Sequence, residues 1–439
     1  MKIKVKESTI VKPSKETPKH ILTSSYLDLL VTPTHVPTIY VYKPNGSKNF
    51  FDTQLLKEAL SNCLVVFYPM AGRLRRREGN VGGFDIDCNG EGVLFVEAES
   101  EGVIDDFGDF TPCFDLEQLI PTVDKSDQSF SITPLLILQI THFKCGGASL
   151  GVGFNHALVD ATTGLHFINS WSDVARGASI TIPPVIDRSL LCSRDPPSPT
   201  YHHIEYDPPS SMNNPIQTKK CETSSKPTST VIIKITRDQL NTLKASITKD
   251  EKNPVRYSTY ETLAAHVWRC TSIARGLVDD QATELYIATD ARSRLHPPLP
   301  PGYLGNAIFP TILILSAGDL RSKPLKWAAE KIHDTLSRRN NDYLQSVLDY
   351  LALQPDPSAM GRGPESFKFP NLNVVSWFRL PAYNADFGWG PPIHFGPTDT
   401  PCGGVVHILR SPTGDGSLSL VICLETDYIE AFKTVFYDF

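Results

Sequence analysis

The 439-residue sequence has no C-x-x-C pair, no Walker phosphate loop and no G-x-G-x-x-G following a predicted strand. Their absence removes the usual local signatures of structural zinc, nucleoside triphosphate and dinucleotide sites, and no metal is expected. No apolar run approaches the roughly 18 residues of a membrane span, so no membrane insertion is expected. The opening Met1-Lys-Ile-Lys-Val-Lys-Glu7 alternates apolar and charged residues and lacks the apolar core of a signal peptide, which predicts a cytoplasmic protein. An excess of positive charge is also missing. Lys and Arg number 42 against 48 Asp and Glu, a net charge of −6, which argues against nucleic acid as a partner. The nine cysteines, Cys63, Cys88, Cys113, Cys145, Cys192, Cys221, Cys270, Cys402 and Cys423, are odd in number and scattered, and they fit reduced thiols.

What is present is a folded chain: 41% hydrophobic and 21% charged residues, with 28 Gly and 35 Pro. At about 100 to 200 residues per domain the length allows two to four domains. From Cys192 to Pro227 the composition turns to Pro, Ser, Thr, Asn and Lys, which resists helix and sheet. This divides the chain into 1–190, a crossover over 191–227, and 228–439. Asp52 to Cys63 is expected as a capped, core-packed helix. Two hairpins are expected, one joining Phe84–Asp87 to Val93–Glu97 and one joining Leu135–Phe143 to Ala148–Phe154. After the crossover, strands are expected at Val231–Ile235, Leu285–Thr289, Ile308–Leu315, Val374–Arg379, Val405–Leu409 and Leu418–Leu424. Helices are expected at Asp238–Ala245, Thr259–Ala274, within Leu325–Leu351 and at Tyr428–Phe436. The fold class is therefore mixed α/β. Each half closes on a glycine turn, an apolar strand and an amphipathic helix, Gly146–Ala175 and Gly414–Phe436. That echo suggests a duplicated fold. Only the first copy ends its strand on a base, Asn155-His156, so one active site per chain is expected.

His156 follows the apolar strand and precedes Asp160, which can cap the helix through Leu165, Phe167, Ile168, Trp171 and Val174. A strand-to-helix junction is a rigid ledge, and a neutral imidazole suits proton abstraction near pH 7. An ordinary junction histidine with an ordinary cap explains the same residues. Gly147-Ala-Ser149-Leu-Gly151 matches the G-x-S-x-G nucleophile elbow, but it enters a strand instead of opening a helix, so Ser149 is expected to be structural. His202 and His203 are expected in solvent within the crossover, His166 and His266 as satisfied helix residues, and Arg73 to Arg77 as a solvated charge run.

His156-Ala-Leu-Val-Asp160 together with Asp386-Phe387-Gly388-Trp389-Gly390, in that order and far apart, resembles the plant BAHD acyl-CoA-dependent acyltransferases. The similarity extends over essentially the whole chain, through Phe67–Leu74, Asn89–Glu99, Gly164–Gly177, Tyr257–Cys270 and Ser376–Gly390. Within the family it is nearest to the hydroxycinnamoyl-CoA shikimate or quinate hydroxycinnamoyltransferases. The resemblance implies two chloramphenicol-acetyltransferase-like domains, with mixed sheets flanked by helices, a crossover loop and an interface channel. It implies no resident cofactor, acyl-CoA as co-substrate, small-molecule partners only and a monomer. His156 would deprotonate the acceptor hydroxyl for direct attack on the thioester, and Trp389 would offer its indole N–H to the oxyanion. Asp160 would turn away to pair with Arg292, while Asp386, Phe387, Gly388 and Gly390 would shape the channel wall. Tyr257, Ser258, Thr259 and Asp290 would meet CoA. Thr38 and Tyr40 would face the acceptor, and Arg379 would hold its carboxylate.

Some residues depart from the family pattern. Ala161 replaces the glycine after the motif aspartate, Ala157-Leu158-Val159 is bulkier than usual, and Pro391-Pro392 and Thr398–Cys402 differ beside the pocket. Quinate, malate, an aldarate, a hydroxyphenyl-lactate or an amine therefore stand beside shikimate as acceptors. A Ser149-dependent esterase and a non-catalytic acyl-CoA-binding homologue are the alternatives outside this chemistry.

Overall fold

Strands form where apolar residues alternate or run together, and helices where they recur at three- and four-residue spacing. The computed structural model describes residues 2–77, 82–123, 130–207, 226–248, 256–400 and 402–438. The strands of the first half are β1 (Ile3–Val11), β2 (Ile21–Leu22), β3 (His35–Tyr42), β4 (Arg73–Arg76), β5 (Phe84–Asp87), β6 (Val93–Ser100), β7 (Leu136–Phe143) and β8 (Ala148–Asn155). Those of the second are β9 (Thr228–Ile235), β10 (Ala282–Asp290), β11 (Ile308–Ser316), β12 (Leu372–Ser376), β13 (His394–Pro397), β14 (Val405–Arg410) and β15 (Leu418–Glu425). Among the described residues, four helices precede the crossover: α1 (Tyr26–Leu29), α2 (Thr53–Val66), α3 (Phe114–Glu117) and α4 (Ala161–Ala175). After it the described residues form α5 (Arg237–Ser246), α6 (Thr259–Ala274), α7 (Ala317–Ser322), α8 (Leu325–Ser337), α9 (Asn341–Ala352) and α10 (Ile429–Phe436).

Two six-stranded mixed sheets dominate, in the orders β1-β6-β7-β8-β3-β13 and β11-β10-β12-β14-β15-β9. In the first, β6 and β7 are parallel, and β8 and β3 follow antiparallel. In the second, β12 and β14 are parallel, and β15 and β9 follow antiparallel. The same four-strand pattern therefore occurs twice, each time with a helix after the hairpin, α4 after β8 and α10 after β15. One core lies between the first sheet and α2 and α4, where Leu56, Leu60, Phe167 and Trp171 are buried. The other lies between the second sheet and α6, α8 and α10, around Trp268, Ile332 and Phe432. Each large apolar side chain buried in this way contributes about 1.5 to 3 kcal/mol.

Sheet membership does not respect the split expected at residues 190 and 228. Strand β13, from the second half of the sequence, completes the first sheet by pairing with β3, His394 opposite Val41 and Pro397 opposite Thr38. The first expected hairpin is also absent. Phe84–Asp87 joins β2 and β4 in a three-stranded sheet, whereas Val93–Ser100 joins β1 and β7. The Gly-rich turn separates the two instead of folding them together. Gly92, at φ +100°, packs so closely on Val11 that a Cβ there would lie 2.5 Å from the Val11 carbonyl oxygen. The second expected hairpin, β7 to β8, is present.

The crossover reading falls partly on residues 208–225, which lie outside the described residues. Its first part is docked against α9, with Arg194 Nε donating to Asp349 Oδ2 at 2.6 Å and Ser198 N donating to the same oxygen at 3.0 Å. His203, expected in solvent, is 2% exposed and bonded to Ser346 Oγ, while His202 stays outside beside Asp207. Arg73 likewise leaves the expected charge run: it is buried and donates to the carbonyls of Gly72 and Gly92.

Candidate active site

Strand β8 delivers His156 just past its end, and the turn that follows is built by Asn155. The Asn155 Oδ1 accepts from Ala157 N at 3.1 Å, and its Nδ2 donates to Pro33 O at 3.2 Å. His156 N donates to Thr34 O at 2.9 Å, and His156 O accepts from Asn306 Nδ2 at 2.9 Å. The next three side chains, Ala157, Leu158 and Val159, all point into the core of the first half. Their extra bulk is thus taken up by packing and does not reach a substrate. Asp160 then caps α4, accepting from Thr163 N at 3.0 Å.

The Asp160 carboxylate is 2% exposed and its oxygens are fully engaged. Arg292 donates from Nη1 to Oδ2 at 2.8 Å and from Nη2 to Oδ1 at 2.9 Å, and Ala307 N donates to Oδ2 at 2.9 Å. Arg292 Nη2 also reaches Thr163 Oγ1 and Gly305 O. Burial alone would lower the Arg292 pKa, but the Asp160 carboxylate, helped by Asp290, holds it above the ordinary guanidinium value. The pair ties the loop that carries His156 to the second half of the chain. Asp290 accepts from Arg292 N at 2.9 Å and braces that arginine.

Thr38 and Tyr40 lie on one face of β3, opposite Val152 and Leu150 of β8. Tyr40 packs its ring on Phe395, 4.8 Å away, and Phe395 meets Trp377 at 5.6 Å. Burial raises the Tyr40 phenol well above its usual range, so it is a neutral donor at physiological pH. Arg379 lies beyond the end of β12, in an exposed turn over the Phe378 ring at 5.6 Å. It has no ion-pair partner among the described residues. Lys244 is close by: its pKa is lowered first by burial and then by the Arg379 charge. Lys244 Nζ donates to Thr259 Oγ1 at 2.6 Å. Lys244 thus lies between Arg379 and Thr259. Ser258 is occupied as the cap of α6, accepting from Glu261 N at 3.2 Å, and Tyr257 stands edge-on to His333 at 5.7 Å.

Trp389 does not reach His156. Its ring packs on Phe51 at 5.0 Å, and Phe51 packs on Tyr42 at 4.5 Å. Tyr42 is paired with Ala148, at the far end of β8, while His35 is paired with Asn155. Seven residues at about 3.3 Å each separate those ends by roughly 23 Å, too far for an oxyanion donor. The surrounding motif forms a turn: Asp386 Oδ1 accepts from Gly388 N at 2.8 Å and Gly390 N at 2.9 Å, with both glycines at φ near +100°. Phe387 wedges against Trp171 of α4, ring centroids 4.8 Å apart. The motif is a packing device.

Ser149 lies at that same far end, fully buried in the middle of the sheet. Its flanking glycines are explained by close approach. A Cβ at Gly147 would lie 2.2 Å from Ile104 Cδ1, and one at Gly151 only 1.9 Å from Leu119 O. The G-x-S-x-G pattern is therefore packing, without an elbow. A cavity of about 520 Å³ opens on the outer face of α4, lined by Thr162, His166, Asn169 and the Pro298–Tyr303 loop. His156, Thr38 and Tyr40 are absent from its lining, whereas Thr163 and Arg292 border it.

Sequence reasoning missed Asn306, Thr163, Gly305 and Lys244. Asn306 reaches His156 O across 150 positions, Thr163 Oγ1 meets Arg292 across 129 and Gly305 O across 142, and no local pattern carries such contacts.

A family model described as Transferase family matches residues 1–439. The chain is 57% identical over 439 residues to a shikimate O-hydroxycinnamoyltransferase of Nicotiana tabacum, covering all of both chains. It is 48% identical, again over the whole of both, to a hydroxycinnamoyl-CoA:5-hydroxyanthranilate N-hydroxycinnamoyltransferase of Avena sativa. Among solved structures, vinorine synthase matches with a TM-score of 0.74 at 21% identity, over 98% of this chain and 96% of that one.

Proposed function

Because the chain belongs to the Transferase family, the BAHD acyl-CoA-dependent acyltransferases, we propose that it moves a hydroxycinnamoyl group from CoA to a carboxylated hydroxy acceptor such as shikimate or quinate. The observation that carries the catalytic assignment is the ledge at His156. A base is presented at the end of a buried strand, while the carboxylate four residues on is committed to Arg292. His156 takes the proton of the acceptor hydroxyl as its oxygen attacks the thioester carbonyl. The tetrahedral intermediate then collapses, the C–S bond breaks, and the imidazolium returns its proton to the CoA sulfur. No acyl-enzyme forms, and Asp160 moves no proton. The interface between the two halves is the channel, with CoA approaching from the flank of Lys244 and Thr259.

For the acceptor, Arg379 supplies a planar, unpaired guanidinium, a shape suited to a carboxylate. The tobacco relative, at 57% identity, supports shikimate. An amine acceptor is the second reading, favoured by the oat N-transferase at 48%. Incubation with p-coumaroyl-CoA and a panel of hydroxyl and amine acceptors, with products identified by mass, decides between them. His156→Ala is expected to lower turnover by about 10²- to 10⁴-fold without unfolding the protein. Near-wild-type turnover in a folded variant would remove His156 from the mechanism.

A further inference from the structure

The His156 ring nitrogen Nδ1 is buried and has no hydrogen-bond partner among the described residues. In a base oriented by a side chain, that atom would donate to a carboxylate, and here the nearby Asp160 is already taken. The imidazole therefore inherits its position from its main chain, which raises the question of what fixes that main chain.

A second ionic cluster does so, from the side opposite the Asp160 cap in sequence. Asp28, in α1, has a side chain that is 0% exposed, and Arg188 is 4% exposed; the two form a direct ion pair through Oδ2 and Nη1. Asp28 Oδ1 accepts from Asn306 N at 3.0 Å and from Asn306 Nδ2 at 2.8 Å. Ser25 donates to Oδ2 from its N at 2.8 Å and its Oγ at 2.7 Å. Each of the two residues that Asp28 holds grips the base loop. Asn306 Nδ2 donates to His156 O at 2.9 Å, and Arg188 Nη2 donates to Leu158 O at 2.8 Å. There is no slack around the cluster, since a Cβ at Gly305 would lie 3.0 Å from both Arg188 Cζ and Tyr303 Oη.

We propose that Asp28, Arg188 and Asn306 act as positioning residues, holding the carbonyls of His156 and Leu158 so that the imidazole stands where the acceptor hydroxyl must be deprotonated. The inference rests on the reading of His156 as the base. Stability alone does not account for the cluster, because well-packed apolar residues commonly replace a buried ion pair without loss. Geometry does account for it, since a base displaced by about 1 Å can lose roughly 100-fold in rate.

Asn306→Ala is the direct test, because it removes only the Nδ2 bonds and leaves Asp28 paired with Arg188 and with the main chain. The expected result is a 10- to 100-fold fall in kcat with the KM for acyl-CoA moved by less than about twofold. In a His156→Ala background the same substitution is expected to leave the residual rate unchanged, because there is no imidazole left to position. An unchanged kcat in the single variant overturns the proposal, as does a fall of equal size in both backgrounds, which would place Asn306's effect elsewhere. If His156→Ala itself retains near-wild-type turnover, the base assignment fails instead, and that outcome is distinct from the other two. Should Asn306→Ala not fold, Asn306→Ser carries the same readouts with a smaller disturbance.

Discussion

Asp160 and Arg292, 132 residues apart, meet through both carboxylate oxygens, at 2.8 and 2.9 Å. The contact makes the aspartate of the His156 loop a structural tie between the two halves of the chain. It also leaves the carboxylate no oxygen to share with the His156 imidazole.

Breaking this pair should therefore cost stability as well as rate. Asp160→Asn and Arg292→Ala each leave one buried charge without its partner, at a cost of about 3 to 5 kcal/mol. Both variants are expected to unfold at lower denaturant concentration and to lose turnover to a similar degree. Equal loss of rate with unchanged denaturation midpoints would mean that Asp160 acts in the chemistry directly.

Trp389→Phe keeps a buried ring against Phe51 and removes the indole N–H. Turnover is expected within about threefold of wild type, since the indole is packed at the far end of the sheet from His156. A loss of the 10²- to 10³-fold typical of a missing oxyanion donor would return Trp389 to the reaction centre.

Arg379 tests the acceptor. With a carboxylated acceptor, Arg379→Ala removes a charge-assisted bond, a loss of about 1.5 to 3 kcal/mol or roughly ten- to a hundredfold in acceptor kcat/KM. Arg379→Lys should restore only part, because an ammonium lacks the paired donors. Since Lys244 and Thr259 share this flank, the KM for acyl-CoA must be measured in parallel. A rise in that constant with acceptor use unchanged would assign Arg379 to the CoA phosphates.

Acidification should destabilise the fold through buried histidines. Burial lowers His203 to about 4, against a smaller opposing effect of its bond to Ser346, and burial lowers His394 to about 4, partly offset by Asp109. Unfolded, each titrates near 6.5, so between roughly pH 6.5 and 4 the unfolded chain binds more protons and stability falls as pH falls. The contribution is intact above pH 6.5. At pH 5.5 each histidine is expected to have cost on the order of 1 kcal/mol. Urea denaturation at pH 7.5 and 5.5 measures their sum together with that of His407, which burial likewise lowers to about 4, and His394→Asn should remove about a third of the share of these three. No difference between the two pH values would mean that these rings are protonated without cost.

Most of the second half was legible in the sequence because its elements are long and strongly periodic. Thr259–Ala274 is a helix with the expected bounds, and Leu325–Leu351 divides into two helices at Arg338–Asn340. Pairing partners were less legible. The turn between Phe84–Asp87 and Val93–Ser100 carries every local hairpin signal, yet contacts with β1 and β2 send the two strands to different sheets. At the site, His156 and Asp160 stand out because a strand end and a helix cap mark them. Asp28, Arg188 and Asn306 do not, since an isolated charged or amide residue says nothing about a partner 150 positions away. Trp389 shows the opposite failure, where a motif suggested proximity and the packing of its ring excluded it.

Strand β13 is four residues long and comes from the far half of the sequence, yet it lies on β3, the strand that carries Thr38 and Tyr40. A fragment ending near residue 190 would thus be born with a naked sheet margin, its β3 amides and carbonyls open to any extended chain. The two halves are better regarded as interlocked than as modules joined by a tether. Separately expressed, the N-terminal fragment should self-associate until a C-terminal fragment supplies β13 in trans, and cutting the crossover in the folded protein should leave the pieces clasped.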